Sequence, residues 1–383
     1  MIKKIEIKNF KSLSNIDIDC SSLNVFTGLN GMGKSSIIQA LLALKQSYDK
    51  GSLQKEGLSL KGELTDIGLG KDALYQFAST DEIEIALSFL DDSDVNKKSW
   101  TFTYEANEES DENKYSESDI IPYPADIHLP TDLLRYSLFK MDKFKYLNAE
   151  RWVKNVYEMG TQQIRNRSLG IHGEYTPHYL IQYGQDNKEN SVDSSLLYEG
   201  TEVNTLDYQV SAWMNEISPG TKVKTVKIQG VNSVKLSYEF YNDRISTQEI
   251  SPLNVGFGIT YVLPVIVALL SAKPGDIIII ENPESHIHPK GQSTIGKLLA
   301  RVANLGVQLF IETHSDHIIN GIRVAIKQGI PSNLINLIFF VRGENLDEIY
   351  STYNNPKIDQ DGRIDFWPKD FFDEWNNNLI ELL

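Results

Sequence analysis

The sequence predicts an α/β fold with a mostly parallel sheet, and three patterns carry that prediction. Ile277 to Ile280, set off by the Pro274-Gly275 turn and Asp276, is the β-branched run of a strand buried on both faces. Helix and strand patterns alternate around it: Val262 to Leu270 and Gly291 to Ala303 read as helices, Val307 to Ile311 and Leu334 to Val341 as strands, a spacing that calls for crossover connections. Near the other end, the apolar run Leu23 to Phe26 enters the glycine-rich octapeptide Gly28-Leu29-Asn30-Gly31-Met32-Gly33-Lys34-Ser35, and a helical pattern follows.

In chain order, Ile2 to Phe10, Ile16 to Asp19 and Leu23 to Thr27 read as strands. Ser36 to Lys45 reads as a helix with Ile37, Ile38, Leu41, Leu42 and Leu44 on its apolar face. Ile83 to Phe89 alternates at period two and continues into Trp100 to Tyr104, which predicts a hairpin interrupted by a charged linker from Asp91 to Lys98. Glu105 to Asp119 has almost no apolar residue and is expected to be a mobile loop. Leu133 to Tyr146 and Leu206 to Ile217 are expected as helices, Val223 to Ile228 and Ser233 to Tyr241 as paired strands. No sustained heptads and no repeat period are visible.

The octapeptide has the residue types and spacing of a phosphate-binding loop. Glycines let backbone N–H groups curl round phosphate oxygens, Lys34 neutralises the terminal phosphates, Ser35 can ligate Mg²⁺, and the helix that follows presents its positive end. A chance glycine turn is the alternative. Phosphate binding alone hydrolyses nothing; a carboxylate must hold the metal and a second group must activate water. Ile280-Glu281-Asn282-Pro283-Glu284 supplies two carboxylates at the carboxyl end of the buried strand, with Glu281 on the Mg²⁺ side and Glu284 as the candidate base. His314, in Phe310-Ile311-Glu312-Thr313-His314-Ser315, ends the next strand where an imidazole could report a γ-phosphate. Asn254-Val255-Gly256-Phe257-Gly258-Ile259-Thr260 precedes the helix from Tyr261 to Leu270; it reads either as a glycine-rich turn or as a second anion-binding corner, for a γ-phosphate held by another subunit's loop. His286 and His288 with Glu284 and His314 suggest a metal site only weakly.

Bulk properties narrow the class. At 383 residues, 41% hydrophobic and 23% charged, the chain is an ordinary globular protein of two or three lobes. The longest apolar run, Tyr261 to Leu270, is short of the roughly 20 residues of a membrane span, and the N-terminus does not pattern as a signal peptide. Cys20 is the only cysteine, which fits a cytoplasmic location. The net charge of −15 argues against a broadly basic surface, although about half of the excess falls in residues 91–120. Lys3, Lys4, Lys8 and Lys11, or Lys222, Lys224 and Lys227, could still make a local basic face, or be solvated strand lysines.

Taken together, Asn9-Phe10-Lys11-Ser12, the Gly28 to Ser35 loop, Asn254 to Thr260, Glu281 to Pro289 and Glu312 to Ser315 resemble the ABC-type ATPase heads of the SMC, RecF and OLD families. The resemblance spans both ends of the chain, with five motifs in order. It implies an ATPase head with an antiparallel β lobe and a mixed α/β insertion, divided as residues 1–105 (N-terminal half-head), 106–245 (insertion), 246–345 (C-terminal half-head) and 346–383 (small C-terminal domain). It implies ATP and Mg²⁺ as cofactors. Asn30, Gly31, Gly33, Lys34, Ser35 and Ser36 would bind the nucleotide, with Ser35 and Glu281 on the metal, and Glu284, Glu281, His314 and Lys34 in catalytic roles. Asn254, Gly256 and Gly258 stand where the ABC signature lies, so two heads would close face to face on two ATP molecules, as a homodimer or within a higher oligomer. Tyr146 to Arg151 and the end segments Asp361 to Pro368 and Phe371 to Glu374 look like a compact prokaryotic branch with a C-terminal domain of undefined function. Members of that branch are often linked to antiphage defence beside a separately encoded effector.

Three departures bear on function. Asn282 replaces the usual catalytic glutamate and cannot take a proton, so hydrolysis would be slow, rely on Glu284 or need a partner. No long coiled coil separates loop from signature, and the segment after Val341 is too short for the OLD nuclease. The expected function is an ATP-driven dimeric switch gating a partner, with DNA as a further possible partner and no membrane. An ATP-locked scaffold restraining an effector is the alternative, and a metal-dependent nuclease the least supported.

Overall fold

A computed structural model describes residues 1–91, 94–104, 119–125, 127–185, 190–242, 244–344, 349–369, 371 and 374–382. The acidic segment expected to be a mobile loop therefore lies almost wholly outside the described residues. The chain divides into two compact units, residues 1–140 with 336–357 and 366–383, and residues 141–335 with 358–365.

The first unit opens with β1 (Ile2–Phe10) and β2 (Leu13–Asp19), then β3 (Leu23–Gly28), which leads into α1 (Lys34–Lys50). β4 (Gly57–Ser59) and α2 (Gly70–Ala73) precede the hairpin β5 (Glu82–Asp91) and β6 (Asp94–Thr103), and β7 (Ile120–Pro122) pairs antiparallel with β4. The antiparallel sheet runs β2-β1-β5-β6. Its inner face buries Ile5, Ile7, Ile85, Leu87, Trp100 and Phe102. The sequence reading of a charged linker here needs correcting, because residues 94–98 continue β6 and their polar side chains face solvent, as in the Lys97–Glu6 ion pair at 2.8 Å. The helix expected from Leu133 to Tyr146 is also absent. Short 3₁₀ turns, Leu133–Arg135 and Ser137–Phe139, alternate with extended backbone at Tyr136 and Lys140. The apolar spacing that mimics a helix instead lets Tyr136 stack on Phe89 at 3.9 Å.

The second unit starts with β8 (Phe144–Leu147), β9 (Val156–Glu158), α3 (Thr161–Arg165), α4 (Thr176–Tyr183) and α5 (Leu206–Ile217). The hairpin β10 (Thr221–Lys227) and β11 (Ser233–Phe240) follows as expected, with β9 along its other edge. Then come α6 (Phe257–Leu270), β12 (Ile277–Glu281), α7 (Pro289–Asn304), β13 (Gln308–Glu312) and α8 (Asp316–Lys327). β8 and β13 flank β12 in parallel register, and all four isoleucines of β12 are buried, as the β-branched run predicts. The first unit is completed by β14 (Ile335–Glu344), beside β3, β15 (Ile349–Asn354), antiparallel to β14, and α9 (Glu374–Glu381).

At the amino end of β12, Asp276 is fully buried and faces three cations: Arg167 at 3.1 Å, Lys143 at 3.2 Å and Lys145 at 3.4 Å. Burial is the main cause that lowers the Lys145 pKa to about 8, with Arg167 adding to it and Asp276 opposing it. Replacing Asp276 by Ala leaves these cations uncompensated, so it is expected to cost about 3 to 5 kcal/mol. Equilibrium urea unfolding checks this; an unchanged midpoint would remove the carboxylate from any structural role.

Candidate functional site

β3 is buried up to Thr27, so the chain leaves it at a fixed point, and the 28–35 loop must turn straight into α1. Three glycines make that turn, with φ of +132° at Gly28, +76° at Gly31 and +97° at Gly33. Gly33 caps α1 in the left-handed region, and a Cβ there would lie 2.4 Å from the Ser351 hydroxyl, so no other residue fits without displacement. Leu29, Asn30 and Gly31 are exposed, and so is Ser35 in the first turn of α1. The Lys34 amine is buried inside the loop and donates to the carbonyls of Gly28 at 3.0 Å and Leu29 at 2.8 Å. Ser36 is buried, and its backbone N–H donates to the Gly33 carbonyl, so its placement is that of a helix residue.

These residues fit a polyphosphate. The first turn of α1 holds no acidic residue, the helix end is positive, and the nearest charge is a lysine. Ser35 would offer its hydroxyl to Mg²⁺, which is normally held by few protein ligands beside phosphate and water.

In the second unit, the in-register pairing of β12 and β13 sets Glu281 beside Glu312, and the Asn282 N–H donates to the Glu312 carbonyl at 2.8 Å. Asn282 itself takes a left-handed φ of +44°, and its side-chain oxygen is buried without a hydrogen-bond partner. Two residues on, Glu284 Oε1 accepts from the His314 backbone N–H at 2.8 Å, while its Oε2 is buried and unpartnered. Burial is the main cause raising the pKa of both Glu281 and Glu284 above the ordinary glutamate range. His314 is exposed at the end of β13, one residue before Ser315, whose hydroxyl caps α8 by accepting from Ile318 N–H. The structure thus brings Glu281, Asn282, Glu284 and His314 to the carboxyl ends of two neighbouring strands.

Two residues of this cluster were missed as site residues in the sequence. Tyr146, at the end of β8, donates its hydroxyl to Glu281 Oε1 at 2.9 Å. Arg151, only 2% exposed, donates to the carbonyls of Glu281 at 2.6 Å and Asn282 at 3.1 Å. Both belong to the Tyr146 to Arg151 segment, but nothing in its pattern shows that it reaches β12, more than a hundred residues along the chain.

α6 begins at Phe257, four residues before its expected start at Tyr261, so Gly258 lies in its first turn. A Cβ on Gly258 would fall 2.2 Å from the His286 carbonyl oxygen, which joins this segment to the loop after β12. Gly256 is the N-cap, exposed with open space around it, Asn254 is exposed just ahead, and the first turn again holds no acid. The histidines have local roles: His286 sets its ring edge-on to Tyr261 at 4.9 Å, and His288 caps α7 by accepting from Lys290 N–H at 3.3 Å. Among the described residues no group of three His, Cys, Asp or Glu side chains is placed to hold a metal ion. Of the lysines considered for a basic face, Lys4 pairs with Asp17 at 2.6 Å, Lys8 with Glu84 at 2.8 Å and Lys224 with Glu239, and Lys11 donates to the Gln39 side chain. No helix among the described residues is long and apolar enough to cross a membrane.

Three family models match parts of the chain. Residues 87–320 match the family described as AAA domain, putative AbiEii toxin, type IV TA system, and residues 1–166 match the AAA ATPase domain. Residues 330–382 match a protein family of unknown function, DUF3696. No curated protein matches the chain. Among solved structures, an SMC head domain from Thermotoga maritima aligns at 11% identity and a TM-score of 0.43, over 92% of this chain and 98% of that one. An SmcHead bound to the C-winged helix domain of ScpA aligns at 14% identity and 0.45, over 92% and 97%. An Smc head with an extended coiled coil, bound to the C-terminal domain of ScpA derived from Pyrococcus furiosus, aligns at 12% and 0.43, over 100% and 99%.

Gly256 and Gly258 should respond differently to alanine. Gly258→Ala is expected to cost about 1 to 3 kcal/mol by overpacking, and Gly256→Ala less than about 1 kcal/mol as a cap change. Thermal melts of the two variants check this; equal losses would show that the His286 carbonyl does not constrain Gly258.

Proposed function

The chain belongs to the AAA-domain family matched over residues 87–320, and from that premise we propose that it is an ATP-binding, ATP-hydrolysing switch that works as a nucleotide-linked dimer and gates a separate effector. The observation that carries the reading is the 28–35 loop, with Lys34 buried inside it at the acid-free end of α1. Asn30, Gly31, Gly33, Lys34, Ser35 and Ser36 would bind the nucleotide phosphates, and Ser35 and Glu281 are the residues that would serve Mg²⁺. Bound Mg²⁺ would neutralise charge on the phosphates as the terminal bond breaks. Glu284 takes the proton from the attacking water; burial, which raises its pKa, strengthens it as a base. His314 contacts the γ-phosphate, and Asn254, Gly256 and Gly258 close on the ATP of a second head. The open, acid-free start of α6 supports that last role. The defence setting implied by the sequence resemblance is in keeping with the family description as a putative toxin of a type IV system. A cytoplasmic location and a homodimer belong to the same reading.

One observation favours a second reading, an ATP-locked scaffold that hydrolyses little. The residue after Glu281 is Asn282, whose side-chain oxygen is buried without a partner and has no acid–base capacity.

ATP turnover per monomer, measured with Mg²⁺ over a range of protein concentration, separates these readings. A specific rate rising with concentration and lost in Lys34→Ala is expected; normal turnover in that variant would sink the loop assignment. A rate near zero at all concentrations, with ATP bound, would select the scaffold. Glu284→Gln is expected to lower turnover by about a hundredfold or more and to accumulate an ATP-bound dimer in size-exclusion chromatography. Unimpaired turnover would move the base elsewhere.

A further inference from the structure

The turn that carries Glu284 is held from below by a side chain that none of the roles above uses. Asn282 is a non-glycine residue at φ +44°, a conformation that costs on the order of 1 to 2 kcal/mol and persists only where neighbours over-determine it. Its N–H is fixed by the Glu312 carbonyl, and its carbonyl accepts from Ser285 N–H at 3.2 Å and from Arg151 Nη1 at 3.1 Å. Arg151 Nη2 takes the preceding carbonyl, that of Glu281, at 2.6 Å. One planar fork therefore spans two consecutive peptide groups, a geometry that a lysine ammonium cannot reproduce. The same segment holds the Glu281 side chain, through the Tyr146 hydroxyl at 2.9 Å and the Ala149 backbone N–H.

We propose that Arg151 is a positioning residue: it locks the Glu281–Asn282 turn in its left-handed form and thereby aims the Glu284 carboxylate for reaction. The kinetic part of this rests on the ATPase reading; the conformational part does not. Arg151 spends its Nη groups on main-chain carbonyls rather than on a carboxylate, so its effect runs through the shape of the turn. Burial lowers its pKa to about 10, which leaves it cationic at neutral pH, where it also offsets the negative charge of Glu281 and Glu284.

The test compares Arg151→Met and Arg151→Lys with the unaltered full-length protein. Amide hydrogen exchange reads the turn directly: in Arg151→Met, residues 281–287 are expected to exchange about tenfold faster while 277–280 stay protected. With ATP and Mg²⁺, kcat is expected to fall about tenfold or more at a KM within about threefold, and Arg151→Lys to recover little of either. Unchanged exchange across the turn in a folded Arg151→Met overturns the proposal, whether or not the protein hydrolyses ATP. A KM change without a kcat change, or full rescue by lysine, also overturns it. If Arg151→Met does not fold, Arg151→Lys carries the comparison, and wild-type exchange and kinetics in that variant overturn the fork argument. Failure of the ATPase reading is seen separately, as absence of Lys34-dependent turnover in the unaltered protein.

Discussion

The parallel, in-register pairing of β12 with β13 is the constraint on which the candidate chemistry depends. It places Glu281 opposite Glu312, brings the Asn282 N–H to a β13 carbonyl, and delivers the His314 N–H to Glu284. Had β13 slipped by one residue, the side chains on it would exchange faces and the His314 amide would leave Glu284. Burial on both sides of β12 prevents such a slip, since each of its isoleucines would forfeit its packing. The apolar run does more than form a strand; it fixes where two carboxylates end.

Charge is sorted along this strand. At its amino end one buried carboxylate meets three cations, and at its carboxyl end two carboxylates meet one buried arginine. The first arrangement is compensated by direct ion pairs. The second leaves carboxyl oxygen and amide oxygen unpartnered, and burial pushes both glutamates toward the neutral acid. Groups left in that state are costly to fold, and in the proposed mechanism the raised basicity of Glu284 serves proton transfer.

The two glycine-rich segments reach a similar outcome by different physics. In the 28–35 loop the glycines supply backbone dihedrals that other residues resist, and packing on Ser351 closes the remaining freedom. At the start of α6 neither glycine needs a positive φ. Gly258 is required by the carbonyl of His286, and Gly256 leaves the helix end open. Both helix starts lack acidic residues, which leaves the positive end of each unneutralised.

Much of this was legible in the residues. The phosphate loop, the buried strand with its terminal acids, the β10–β11 hairpin and α5 follow from local periodicity and turn chemistry, which operate over a few residues and therefore leave a readable pattern. Local signals misled where spacing was ambiguous: the turns around Leu133 look helical until Tyr136 finds Phe89, and the start of α6 looks broken by Gly258 until His286 explains it. Tyr146 and Arg151 stood in plain view without a role, because the contacts that give them one join β8 and its loop to a turn more than a hundred residues away. The sequence by itself determined which residues could carry phosphate, metal and proton chemistry. Only the tertiary structure decided which of them share an environment, because burial, register and a reach across distant segments arise from long-range packing that no short window encodes.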